Sequence, residues 1–323
     1  MKQQPNLIFL HIGKTGGSTL ATILNRIFSP NSFFYKYVIP ISQNPSLLGI
    51  WSIQKVKSEL LNVSIEEKLS WEYIGGHLPF GIHEYLGARS YYVTLLRDPV
   101  ERVLSSYYYC CQRHYDVTGE KIDLESFINS EQGMFFSLAP QFESLNILVV
   151  DNYQVRHLSG IGELNPTKRP NLTNIKYVKQ KQCEQAKTNI KNYFLLVGFT
   201  EQFDEFLILL RKLSGCRFSD LLYQRKNVTK NRLKKAQIPQ HILETIQEKN
   251  QHDIELYNYC RKKFNDLVSE YGVLFYIQLY LFKILNSIQN RKIKLINVYK
   301  LADIMDYLFT KIDKKQIFDN ELY

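Results

Sequence analysis

The residues most apt for chemistry stand near the start of the chain, in "LHIGKTGGSTL". There Gly13, Lys14, Thr15, Gly16, Gly17, Ser18 and Thr19 follow the apolar run of residues 7–10. A glycine-bracketed lysine between a strand and a helix suits an anion. Successive backbone N–H groups and the helix N-terminus form a cradle, and glycines allow close approach of a ligand. Ser18 or Thr19 can cap the helix or bond a phosphate oxygen. The ATP loop G-x-x-x-x-G-K-[ST] needs its first glycine at position 8, which is Ile8. Here the glycines follow the lysine, so the loop is shorter on its N-terminal side.

A second stretch, "YYVTLLRDPVERVLSSYYY", supplies the other half of a nucleotide site. Asp98, Pro99 and Glu101 have the types and spacing that start a helix. Arg97 leaves the preceding strand at the carboxyl edge of the sheet, where open α/β folds bind ligands. Arg102 and Ser105 are three apart on the helix, and guanidinium plus hydroxyl beside that edge would hold a second phosphate. A general base should be a histidine or carboxylate within reach of an acceptor hydroxyl. Of seven histidines, His77 in "YIGGHLPFG" follows a short strand and precedes a Pro-Gly loop, so it is expected at the same edge. His83 is the reserve base, and His11 and His157 are expected to pack or support structure.

Strand-like runs fall at residues 7–12, 73–76, 91–96 and 194–199, and helix-period stretches at 18–28, 99–111 and 201–213 follow three of them. Strands feeding helices predict an α/β fold with a parallel sheet flanked by helices, like that of P-loop NTPases. Further helices are expected at residues 46–61, 151–158, 178–190 and 240–264, and a loop at 164–173. We divide the chain into a main domain, 1–270, and a helical C-terminal extension, 271–323. That tail is rich in Leu, Ile, Tyr and Lys and has no glycine after Gly272. It either packs on the main domain or forms a basic amphipathic helix for a membrane surface or an oligomer.

Taken together, "HIGKTGGSTL" and "RDPVERVLSSYY" resemble the sulfotransferases that use 3′-phosphoadenosine 5′-phosphosulfate, and among them the carbohydrate family that includes the heparan sulfate 2-O-sulfotransferases. The later stretches "DNYQVRHLSG", "YFLLVGFTEQFDEFLILL" and "YQRKNVTKNR" resemble segments of that family in the same order, so the likeness runs from about residue 7 to about 265. The resemblance implies that residues 13–19 bind the 5′-phosphosulfate and that Arg97 and Ser105, eight apart, bind the 3′-phosphate. It also implies a basic loop closing over the donor, with Lys226, Asn227, Thr229 and Arg232, and a catalytic histidine in the segment of His77. One departure is visible. The animal enzymes have His-Gly-His where this chain has Gly75-Gly76-His77. Lys14 is the expected partner of the leaving phosphate oxygen, and no metal is demanded where cations and N–H groups cover that charge.

The remaining features set the partners. The net charge of +10 favours an anionic partner. Two rivals remain, a P-loop-type kinase and a non-enzymatic basic glycan-binding protein. The second explains the charge and the 22 tyrosines but not two separated phosphate cradles. A carbohydrate or glycolipid acceptor is expected, and nucleic acid is not. Five cysteines without a C-x-x-C pair predict reduced thiols and no metal site. Without a recognisable leader or a window of ~18 apolar residues, a cytoplasmic protein is expected, with peripheral contact at the inner membrane face as the tail's sharper role.

Overall fold

Four runs dominated by Leu, Ile, Val, Phe and Tyr form the centre of the molecule: β1 (Asn6–Leu10), β2 (Tyr73–Gly76), β3 (Ser90–Leu96) and β4 (Phe194–Phe199). The computed structural model describes residues 6–28, 60–78, 80–87, 89–129, 150–160, 178–224, 233, 235–290 and 297–313. The strands form one parallel sheet in the order β2-β1-β3-β4, with Phe9 opposite Gly75 on one side and Val93 on the other. β1 is buried along its whole length, as a strand covered on both faces must be.

In chain order the helices are α1 (Gly17–Ile27), α2 (Ile65–Leu69), α3 (Pro99–Thr118), α4 (Leu124–Asn129), α5 (Tyr153–Ser159) and α6 (Gln180–Tyr193). They continue as α7 (Phe203–Ser214), α8 (Phe218–Leu221), α9 (Gln240–Lys249), α10 (Gln251–Glu270), α11 (Gly272–Asn290) and α12 (Val298–Asp313). β4 shows how they cover both faces. A Cβ at Gly198 would overlap Phe206 of α7, whereas the next residue, Phe199, packs edge-on against Tyr257 and Phe264 of α10. Successive strand residues point to opposite faces, so α7 and α10 lie on opposite sides.

Sequence signals account for the ends of α3. The Asp98 carboxylate accepts the Glu101 N–H at 3.0 Å, Pro99 occupies the first turn, and Gly119 closes the helix at φ 74. α3 runs seven residues beyond the expected end at 111. The helix expected over 240–264 is two, because Asn250 turns inward and donates to the carbonyls of Val150 (2.6 Å) and Ile246 (2.8 Å). Phe275, Phe282 and Phe309 of α11 and α12 join the main hydrophobic core. The expected helix at 46–61, except its last two residues, and the expected loop at 164–173 lie outside the described residues.

Candidate active site

Each strand hands one polar residue to the carboxyl edge of the sheet: His11 after β1, His77 after β2, Arg97 after β3 and Thr200 after β4. Parallel pairing brings all four to the same edge.

The loop between β1 and α1 is built around its carbonyls. Thr15 Oγ1 donates to Ile12 O at 2.8 Å, Arg97 Nη1 to Lys14 O at 3.1 Å, and Thr200 Oγ1 to Thr15 O at 2.7 Å. Thr200 Oγ1 also reaches Leu96 O at 3.2 Å, which ties the loop to the end of β3. Lys14 and Gly16 adopt positive φ, 69° and 83°. For Lys14 this left-handed backbone is a strained state that the surrounding bonds must hold. Its ammonium lies 4.1 Å from the centre of the Tyr109 ring. Tyr109 stands one turn beyond Ser105 on α3, so Lys14 and the Ser105 hydroxyl share that face. Gly17 is required for another reason: a Cβ there would stand 2.0 Å from the His11 ring.

His11 joins this loop to His77. The two imidazoles stack with centroids 4.1 Å apart and planes 20° from parallel. His77 Nδ1 lies 2.8 Å from His11 O. A carbonyl only accepts, so Nδ1 carries the proton and Nε2 carries the lone pair. Burial lowers the His77 pKa below its ordinary 6.5, against the opposing effect of that hydrogen bond. His11 is lowered further, by burial first and then by His77, His157 and Lys14. His157 is held at about 3 by burial, with Nδ1–H donating to Tyr153 O at 2.9 Å. The cluster is therefore neutral at physiological pH; His11 and His77 are both part-exposed, and His157 is buried.

A short helix, α5, supports Arg97. Gln154 Oε1 accepts the Arg97 N–H and Gln154 Nε2 donates to the Arg97 carbonyl, both at 2.9 Å. α5 is fixed in turn by Asp253, whose carboxylate accepts the N–H groups of Gln154 (3.0 Å) and Val155 (2.7 Å). Asn152 returns the favour to α10 by accepting from His252 and Asp253. Tyr153 fills the space beside Gly13, with its hydroxyl 3.3 Å from where a Cβ would stand.

Several expected residues sit elsewhere. Arg102 is not a surface ligand: it is fully buried, over the Tyr153 ring at 4.7 Å and under the charge of Asp253, and Ser105 three residues on is itself buried. Arg156, for which the sequence leaves contact with the acceptor or with the sheet open, pairs with Asp151 at 2.8 Å. His83 Nδ1 lies 2.9 Å from the hydroxyl of Tyr92, the residue of β3 that pairs with Ile8, back from the carboxyl edge. Lys226, Asn227, Thr229 and Arg232 lie outside the described residues. Both flanks of that segment are anchored. Asn286 Oδ1 accepts the Tyr223 N–H at 2.9 Å, and Tyr108 OH accepts the Leu233 N–H at 3.0 Å. Sequence reasoning missed Thr200, Gln154 and Tyr109. The first follows β4 as Arg97 follows β3, and the last is four residues after Ser105. Gln154 lies in the stretch "DNYQVRHLSG", whose resemblance marks the segment but gives this residue no role.

The missing first histidine of His-Gly-His has a steric counterpart. A Cβ at Gly75 would stand 1.9 Å from the Tyr73 hydroxyl, so the buried phenol fills that place.

Residues 1–260 match the sulfotransferase family. The chain is similar to the uronyl 2-sulfotransferase of Homo sapiens, 22% identical over 276 residues, and to that of Mus musculus, 23% identical over 277. Each match covers 83% of this chain and 64% of the relative, so the chain spans less than two thirds of the length of these curated relatives.

Proposed function

Because this chain belongs to the sulfotransferase family, we propose that it transfers a sulfuryl group from 3′-phosphoadenosine 5′-phosphosulfate to a carbohydrate hydroxyl, with His77 as general base. The observation that carries this reading is the bridge through His11. It sets a histidine with one free basic nitrogen against the turn of an anion loop. The donor, when bound, supplies an activated sulfuryl group on a phosphate leaving group.

The residues present fit such a donor. The loop carbonyls are engaged by Arg97 and Thr200, while Lys14 brings a cation and α1 its N-terminus. We assign the 5′-phosphosulfate to residues 13–19 and the 3′-phosphate to Arg97 and Ser105. Arg97 keeps part of its side chain exposed, in an ion pair with Glu101 at 3.6 Å that an incoming phosphate would outbid. Lys226, Asn227, Thr229 and Arg232 are assigned to close over the donor, as the resemblance implies. In this P-loop-like arrangement Lys14 neutralises charge on the leaving oxygen. His77 Nε2 takes the proton of the acceptor hydroxyl, leaving the imidazolium to be discharged to solvent.

The acceptor class follows the relatives, whose name specifies a uronyl group. A glycan or glycolipid sugar is the proposed acceptor here. The test is thermal stabilisation by adenosine 3′,5′-bisphosphate but not by ATP with Mg²⁺, followed by transfer of labelled sulfate to uronate-containing glycans. Absence of bisphosphate binding would refute the reading.

A further inference from the structure

We propose that the outward face of α11 and α12 docks on the surface of an anionic lipid bilayer. Fifteen large apolar side chains are exposed among the described residues, and eleven of them lie on these two helices. The concentration is too strong to be the ordinary scatter of surface hydrophobes. Val273, Tyr280 and Tyr307 are 75%, 67% and 63% exposed.

The polarity of α11 is inverted. Its amides Gln278 and Asn286 are buried, while Tyr276, Ile277, Tyr280 and Ile284 face out. Its inner face is also apolar, through Phe275, Leu279, Phe282 and Leu285. A helix with apolar side chains on two faces calls for cover on the second. α12 extends the same surface with Leu301, Ile304, Tyr307 and Leu308. Aliphatic residues mixed with tyrosines and flanked by lysines form the composition of helices that lie in a membrane interface.

Charge selects the occupant. Lys283, the one charged residue of α11, pairs with Glu205 of α7 at 2.9 Å and stays exposed, and α12 exposes Lys300 and, further along, Asp303. In sequence the two helices are joined through Arg291, Lys292 and Lys294, with no acid between them. Between Glu270 and Asp303 every charged residue of the sequence is a cation, and a second copy of this chain would add only charges of the same sign. An anionic surface complements them, each contributing roughly 1 kcal/mol near lipid headgroups. No single described helix is long and apolar enough to cross a membrane, and α10 and α11, which together have the length and composition, are bent by 101° at their junction. α11 also holds the entrance to residues 225–232, since Asn286 and Asn290 bond the N–H and carbonyl of Tyr223 at 2.9 and 3.1 Å. The proposal does not depend on the reaction assigned above.

The experiment is flotation of the full chain with phosphatidylcholine vesicles, with and without phosphatidylglycerol. The expected result is about tenfold more bound protein on the anionic vesicles, weakening as salt rises. The variant Ile277→Ser, Tyr280→Ser, Ile284→Ser should lose about tenfold in binding and keep its melting temperature, because the altered groups face solvent. Tyr307→Ser with Leu308→Ser on α12 should weaken binding in the same direction. The proposal is overturned by no flotation with anionic vesicles, by equal flotation with neutral ones, or by unchanged binding of both variants. Concentration-dependent dimers that the triple variant abolishes, with vesicles ignored, would assign the face to a second copy instead.

Discussion

The imidazole of His77 lies stacked on that of His11 and donates its Nδ1–H to the carbonyl of the same residue. One neighbour thus fixes the ring's plane, its tautomer and the direction of its basic nitrogen. His77→Ala should lower turnover by roughly 10²–10⁴-fold, the usual contribution of a general base. Binding of adenosine 3′,5′-bisphosphate, measured by calorimetry, should be nearly unchanged. The pH profile carries a sign. Burial lowers the His77 pKa below 6.5, so the ring stays neutral as pH falls through that value. Turnover should hold at pH 6.5 and fall only at lower pH. An acid limb centred at or above 6.5 would remove His77 from the base role.

Lys14 combines a strained backbone with a functional side chain, and two substitutions separate the roles. Lys14→Ala and Lys14→Gly should both lower single-turnover rates by about 10²–10³-fold, since each removes the ammonium. Their stabilities should differ. Glycine accepts φ 69 without steric cost, so the glycine variant should be the more stable by roughly 1 kcal/mol in urea denaturation. Equal stability would mean that the loop relaxes out of the left-handed state.

The parts of this architecture set by local chemistry were legible. Asp98 and Pro99 mark the start of α3, and the four apolar runs are the four strands to within two residues. The parts set by distant partners were not. Asn250 breaks a helix because a carbonyl one hundred residues away accepts its amide. Arg102 has the spacing of a surface ligand, yet Tyr153 and Asp253 draw it inward. Gln154 stands in a stretch whose resemblance was visible, yet its role was not, because that role is defined by the strand end it grips.

That grip is testable. Gln154 is buried, and Gln154→Leu would leave the N–H and carbonyl of Arg97 without their partner. Each such group costs about 1–3 kcal/mol. The variant should denature at lower urea and should bind adenosine 3′,5′-bisphosphate more weakly, because Arg97 loses its fixed origin. A variant that loses stability but binds normally would show that Gln154 serves folding alone.

Restoring the first histidine of His-Gly-His should fail in this chain. Gly75→His places a Cβ where the Tyr73 hydroxyl stands, an overlap that only a shift of a buried ring relieves. The expected loss is about 1–3 kcal/mol or more. Adding Tyr73→Ala should return part of it, which a double-mutant cycle would register as favourable coupling. Additive losses would show that Tyr73 does not hold this place.

The histidine cluster should also make the fold acid-sensitive, and His157 shows why most plainly. Its folded pKa is held at about 3 by burial, against 6.5 when exposed. Between those values the unfolded chain takes up a proton that the folded chain refuses. The stabilising contribution is therefore complete above pH 6.5 and is lost progressively as pH falls toward 3. Each such histidine lowers stability by up to about 1.4 kcal/mol per pH unit in that window. His11 and His77 are shifted in the same direction by the same cause, so their effects add to it. Urea denaturation at a series of pH values should show stability falling from pH 7 to pH 5. His157→Gln removes the titrating group while keeping an amide able to donate to the Tyr153 carbonyl. It should lower stability at pH 7 and flatten the slope below it. An unchanged slope in that variant would mean that His157 takes up its proton without opening the structure around it.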